Sequence, residues 1–142
     1  MIKINYVIAT WNGKNNRSNV HSSPNDLLRN NLIELLKCKN SYISQITIMK
    51  AQSNNYYENY YNLDDIISMS SIPIVQIECE NFAFSPGQWL KAYEIYKNQF
   101  DHFIFMEDDY CPNMLNYDSI LLEMFNNLFR DNIGILSGIL SG

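Results

Sequence analysis

Two hydrophobic periods run through the chain. Ile2 to Ala9 is an apolar run rich in β-branched residues with little polar alternation, the pattern of a central strand buried on both faces. The polar stretch Thr10 to Ser23, which holds Gly13, Lys14, Arg17 and His21, is longer than most connections in a compact domain, and such loops often carry function. Ser23-Pro24-Asn25-Asp26 reads as a capping box with proline at the first helical position. Leu28, Leu32, Leu35 and Leu36 then recur at helical spacing, which predicts a helix to about Cys38. Ile43 to Met49, where Ile46 and Ile48 alternate with Thr47 and Met49, predicts a second strand, and Pro73 to Cys79 a third. Between them, Tyr56, Tyr57, Tyr60 and Tyr61 read as packing or surface residues on a short helix or loop. Pro86 opens a second clear helix to about Asn98, with Leu90, Tyr93 and Tyr96 marking its faces. Phe103 to Met106 is a short, wholly apolar fourth strand, followed at once by Glu107, Asp108 and Asp109. A third helix is expected over Tyr117 to Phe129, with Ile120, Leu121, Met124, Phe125 and Leu128 inward, and a fifth strand over Ile133 to Leu136.

Strands alternating with helices imply an α/β layered domain around a mostly parallel sheet. In such sheets ligands bind beyond the carboxyl ends of the strands, at a topological switch point. Thr10-Trp11-Asn12 closes the first strand and Glu107-Asp108-Asp109 the fourth, so both polar groups fall on the ligand side.

Composition narrows the choice of partner. A chain of 142 residues allows one domain, burying roughly two-thirds of its unfolded surface. The formal charge of −5 gives no electrostatic footprint for a nucleic-acid backbone, so no nucleic acid is expected. No apolar run approaches the ~20 residues of a membrane span. Met1 leads straight into Ile2-Lys3-Ile4 without a signal region, so a cytoplasmic location is expected. Cys38, Cys79 and Cys111 are odd in number and form no C-x-x-C pair, which marks them as reduced and structural. The abundant asparagines are interleaved with regular apolar positions, and that favours a folded domain over a disordered tract.

Three adjacent carboxylates at a strand end are the sharpest chemical signal. Packing them is costly unless a cation neutralises them, and hard oxygen donors suit Mg²⁺ or Mn²⁺. In extended backbone, Glu107 and Asp109 point one way and Asp108 the other. The structural alternative is a solvated turn capped by Asp109 or Asn113. Trp11, directly after a buried strand, has the chemistry to stack a nucleobase or to cap the sheet. His21 and His102 have no sequence partner, and Lys14 and Arg17 are either phosphate contacts or solvated loop charges.

Taken together, Tyr6-Val7-Ile8-Ala9-Thr10-Trp11-Asn12 resembles the opening strand and turn of GT-A glycosyltransferases. Phe103-Ile104-Phe105-Met106-Glu107-Asp108-Asp109-Tyr110-Cys111-Pro112 resembles their apolar strand and D-x-D motif, and Ile133-Gly134-Ile135-Leu136-Ser137-Gly138 looks like the strand that follows. The resemblance implies a three-layer, Rossmann-like domain of mostly parallel strands that binds a nucleotide-diphospho-sugar and serves sugar transfer to a glycan, lipid or protein acceptor. It implies that Thr10, Trp11 and Asn12 hold the nucleotide, with the indole on the base, and that Glu107 and Asp109 hold Mn²⁺ or Mg²⁺ on the diphosphate with Asp108 between them. The chain departs from the family in three places. Met49-Lys50-Ala51-Gln52-Ser53 stands where the family carries base-binding acids, Lys91 approximates an arginine directed to the diphosphate, and no catalytic base is assigned. The resemblance therefore implies the donor-binding half of such an enzyme, truncated on the acceptor side, with an apolar face open to self-association. A non-catalytic nucleotide-sugar-binding module and an unrelated Mg²⁺-dependent phosphoryl enzyme are the competing classes.

Overall fold

In a computed structural model of the chain, which describes residues 1–13, 24–52 and 62–128, the strands form one four-stranded, all-parallel sheet. The elements are β1 (Ile4–Trp11), α1 (Pro24–Lys37), β2 (Ile43–Gln52), α2 (Asp64–Met69), β3 (Ile74–Glu80), α3 (Phe84–Tyr96), β4 (His102–Glu107) and α4 (Tyr117–Leu128). The strand order is β3-β2-β1-β4, so the chain reverses its direction of travel between β1 and β4. That reversal is the topological switch point at which open α/β sheets take ligands.

Alternation along β1 divides the core into two layers. Ile4, Tyr6 and Ile8 pack with Leu28, Leu32 and Leu35 of α1 and with Ile43, Ile46 and Ile48 of β2. Val7 packs on the other face with Met49, Ala51, Cys79 and Ala92, against which Trp11, Trp89 and Phe103 are laid. Helices on both faces of a parallel sheet give the three-layer α/β architecture expected. The leucine spacing of α1 places Leu28, Leu32 and Leu35 fully in the core.

Several boundaries and faces differ from the sequence reading. β1 runs to Trp11 because β2 continues to Gln52 beside it, pairing Thr10 with Lys50 and Trp11 with Ala51. Trp11 is thus a strand residue, not a loop residue. α3 starts at Phe84, with Pro86 inside the first turn, where its missing N–H costs no intrahelical bond. Gln88 and Ala92 are its buried residues, while Leu90 and Tyr93 are exposed. On α4, Leu122 is buried and Met124 exposed, because the helix crosses the amino end of the sheet: Asp118 accepts from the Tyr42 and Ile43 amides, and Phe125 meets His102 edge to face. α2 was not anticipated, since six residues carry too little periodicity to register. Lys14, Arg17, His21, Ser23 of the capping box, the Tyr56–Tyr61 cluster and the expected strand Ile133–Leu136 lie outside the described residues.

Candidate functional site

Register brings the two polar groups together. β1 and β4 pair in parallel with Ala9 opposite Glu107, so the residues that follow each strand emerge side by side at the carboxyl edge. The Thr10 hydroxyl donates to Asp108 Oδ2 at 2.5 Å, and both residues are buried, at 1% exposure each. A carboxylate this deep is tolerated because it accepts hydrogen bonds. Glu107 projects to the opposite face, where its Oε1 accepts from Ser85 Oγ at 2.7 Å. The expected alternation of Glu107 and Asp108 is therefore realised, each carboxylate being caught by a different layer. Asp109 lies in the turn beyond β4 and is exposed.

The first turns of α3 supply much of this frame. Gln88, 3% exposed, donates through Nε2 to the carbonyls of Thr10 (2.9 Å) and Met49 (2.7 Å), tying the ends of β1 and β2 together. Ser85, Trp89 and Tyr93, four residues apart, form one stripe along β4. Ser85 meets Glu107, Trp89 stacks on Phe105 and donates to the Met106 carbonyl, and Tyr93 meets Phe103. From the other layer, Asn31 of α1 donates to the Glu107 carbonyl at 3.1 Å. Ser85, Gln88 and Asn31 were not singled out in the sequence. A glutamine on the buried side of an otherwise apolar helix was the available signal for Gln88.

Asn12 is buried, its amide donating to the Ala51 carbonyl and its Nδ2 to Gln52 Oε1 at 2.8 Å. Trp11 packs against the Val7–Met49 cluster and folds over Gly13, where a side-chain Cβ would stand 1.9 Å from the indole. Its Nε1 is buried without a hydrogen-bond partner among the described residues. Lys91 lies elsewhere. It lines a cleft of about 860 Å³ between the end of β3 and α3, together with Gln52, Glu80 and Phe82, on the side of α3 away from the Ser85 stripe. Thr10, Asn12, Glu107 and Asp108 are thus gathered at one edge, and Lys91 is not brought to the acidic segment.

Among the described residues, no three His, Cys, Asp or Glu side chains assemble into a metal-binding group. No helix among them is long and apolar enough to cross a membrane. Cys38, Cys79 and Cys111 are free thiols, with burial raising the pKa of each. Comparison of the chain with models of protein families, with curated proteins and with solved structures finds no match in any of the three.

Proposed function

We propose that the chain is a GT-A-like glycosyltransferase domain that binds a nucleotide-diphospho-sugar together with Mn²⁺ or Mg²⁺, for transfer of the sugar to a glycan, lipid or protein acceptor. The observation that carries this reading is the Thr10–Asp108 hydrogen bond, which joins the polar ends of β1 and β4 at the switch point of a parallel sheet. Asp109 and Glu107 are the residues that would hold the ion. Two carboxylates fit Mg²⁺ or Mn²⁺, because such ions complete their shell on substrate phosphates. Once bound, the ion would neutralise charge on the departing diphosphate. Asp108 plays a different part: fixed by Thr10, it sets the backbone from which its two neighbours project. The free thiols accord with a reducing, cytoplasmic setting.

Calorimetry with uridine and guanosine diphosphates in Mn²⁺ tests the reading. Asp109→Ala should abolish Mn²⁺-dependent binding while the far-ultraviolet circular dichroism stays unchanged, since the side chain is exposed. Unchanged affinity in that variant would remove Asp109 as a ligand. One observation favours a non-catalytic nucleotide-sugar-binding module as the second reading. Ser85 and Thr10 already engage Glu107 and Asp108, so Asp109 alone of the three carboxylates has no protein partner among the described residues. Donor binding with neither hydrolysis nor sugar transfer would select that module.

A further inference from the structure

Helix α1 grips the turn that carries the acidic residues. Resting on the ion-binding reading above, we infer that Asn31 is a positioning residue for the ion: its amide fixes the strand end from which Glu107 and Asp109 project. Asn31 sits where the pattern of α1 calls for an apolar side chain. It stands three residues after Leu28 and four before Leu35, on the same buried face, and is itself 0% exposed. Asparagine is also a poorer helix former than leucine. Half of its carboxamide is left over, because Oδ1 is buried without a hydrogen-bond partner among the described residues. An orphaned buried acceptor costs stability, and an apolar side chain of similar shape avoids that cost. Packing alone favours leucine here.

What the amide gains is a hold on the end of β4. Its Nδ2 donates to the Glu107 carbonyl at 3.1 Å. That same carbonyl closes the turn in which Asp108 and Asp109 are the central residues, by accepting from the Tyr110 amide. At 3.3 Å the closing bond is long, so the turn leans on its second donor. Glu107 is thus gripped from both layers, its carboxylate by Ser85 of α3 and its backbone by Asn31 of α1.

The helix holds the following residues as well. Cys38 Sγ donates to the Pro112 carbonyl at 3.7 Å, and the Cys38 carbonyl accepts from the Asn116 amide at 2.7 Å. α1 is therefore the template along which the chain is laid after β4. Glu107 and Asp109 flank the turn, so the backbone sets how their carboxylates stand to each other. A hard ion is exacting about ligand placement, and groups that orient its ligands are commonly worth about tenfold or more in affinity.

The test is calorimetry of the full chain with uridine and guanosine diphosphates, in Mn²⁺ and in a chelator, beside urea unfolding of the same variants. Asn31→Leu keeps roughly the shape and removes the donor. Its Mn²⁺-dependent affinity should fall about tenfold or more, with binding in chelator unchanged and a urea midpoint no lower than that of the unsubstituted chain. Asn31→Ala removes the donor without adding volume and should lose the same factor. Tyr6→Phe, which deletes another unpartnered polar atom from the same layer, should leave the affinity as it is. Undiminished Mn²⁺-dependent affinity in either Asn31 variant, a midpoint that falls along with affinity in Asn31→Leu, or an equal loss in Tyr6→Phe would overturn the inference and leave ion-assisted nucleotide binding standing. Absence of Mn²⁺-dependent binding in the unsubstituted chain would overturn both.

Discussion

Tyr6 carries a hydroxyl into the centre of the molecule. The residue is fully buried on β1, and its oxygen has no hydrogen-bond partner among the described residues. Burial pushes the phenol well above its ordinary pKa, and Tyr117, Cys111 and Cys38 nearby add to the shift, so the group stays neutral at any physiological pH. A neutral but unpartnered hydroxyl costs about 1 kcal/mol or more relative to the apolar isostere. Tyr6→Phe should therefore raise stability by about 1 kcal/mol, read as a higher urea midpoint with an unchanged slope. A lower midpoint would show that the hydroxyl is satisfied in solution. Asp118 is the opposite case. It is fully buried, yet its carboxylate accepts from the amides of Tyr42, Ile43 and Ser119, which offsets the cost of desolvation. Neither role was legible in the sequence: Tyr6 looked like any strand aromatic, and nothing set Asp118 apart from other acids in a first helical turn. What each side chain meets is set by elements far away in the chain.

At the level of elements, α3 depends on one glycine. Alanine is the better helix former by about 1 kcal/mol, but a Cβ on Gly87 would stand 1.7 Å from the Phe82 carbonyl oxygen. Backbone, not a flexible side chain, is in the way. Gly87→Ala should thus lower stability by roughly 1–3 kcal/mol despite its propensity, and differential scanning calorimetry would show the sign directly. The contact between α1 and α2 makes a prediction with pH. Arg29 donates two hydrogen bonds to Asp65 and holds its carboxyl down at about 2. A folded pKa below the unfolded one adds stability above the ordinary carboxylate range, lost as pH falls from about 4 to about 2. The pair is exposed, so the effect is small and screened by salt. Arg29→Ala should flatten that part of the acid-unfolding profile and leave the neutral plateau little changed; an unaltered profile would show the pair to be idle. How far these elements could be read in advance varied with their length. Leu28, Leu32 and Leu35 mark α1 unambiguously, because one stripe of leucines has one partner, the sheet. The start of α3 was misplaced by two residues, since proline signals a first turn while the left-handed Ala83 and Phe84 before it leave no mark in composition. Strand ends were set by neighbours: β1 reaches Trp11 only because β2 extends beside it.

For the whole molecule, the order β3-β2-β1-β4 settles which residues can cooperate. Strand alternation and the two terminal polar groups were enough to expect that Thr10 and the acidic segment share an edge, and they do. The order also determines where a general base could come from. Transfer requires a proton acceptor within hydrogen-bond reach of the attacking hydroxyl, beside the donor. Glu107 and Asp109 are committed to the ion in the proposed function, and Asp108 is buried under Thr10. Beyond them in the described chain, Asp118 and Glu123 lie on α4, and Asp118 is spent on amides at the start of β2, the end of the sheet opposite the site. We therefore expect the isolated chain to bind a nucleotide-sugar and, with Mn²⁺, to hydrolyse it slowly, without sugar transfer at an enzyme-like rate. A radiolabelled donor incubated with glycan, lipid and peptide acceptors would check this, free sugar and transferred sugar being counted separately. Robust transfer by the purified chain would mean that the base is supplied by Glu80, by a residue outside the described segments, or by a second copy of the chain. A concentration series would then separate the last source from the other two, because only a base in trans makes the specific activity rise with protein concentration.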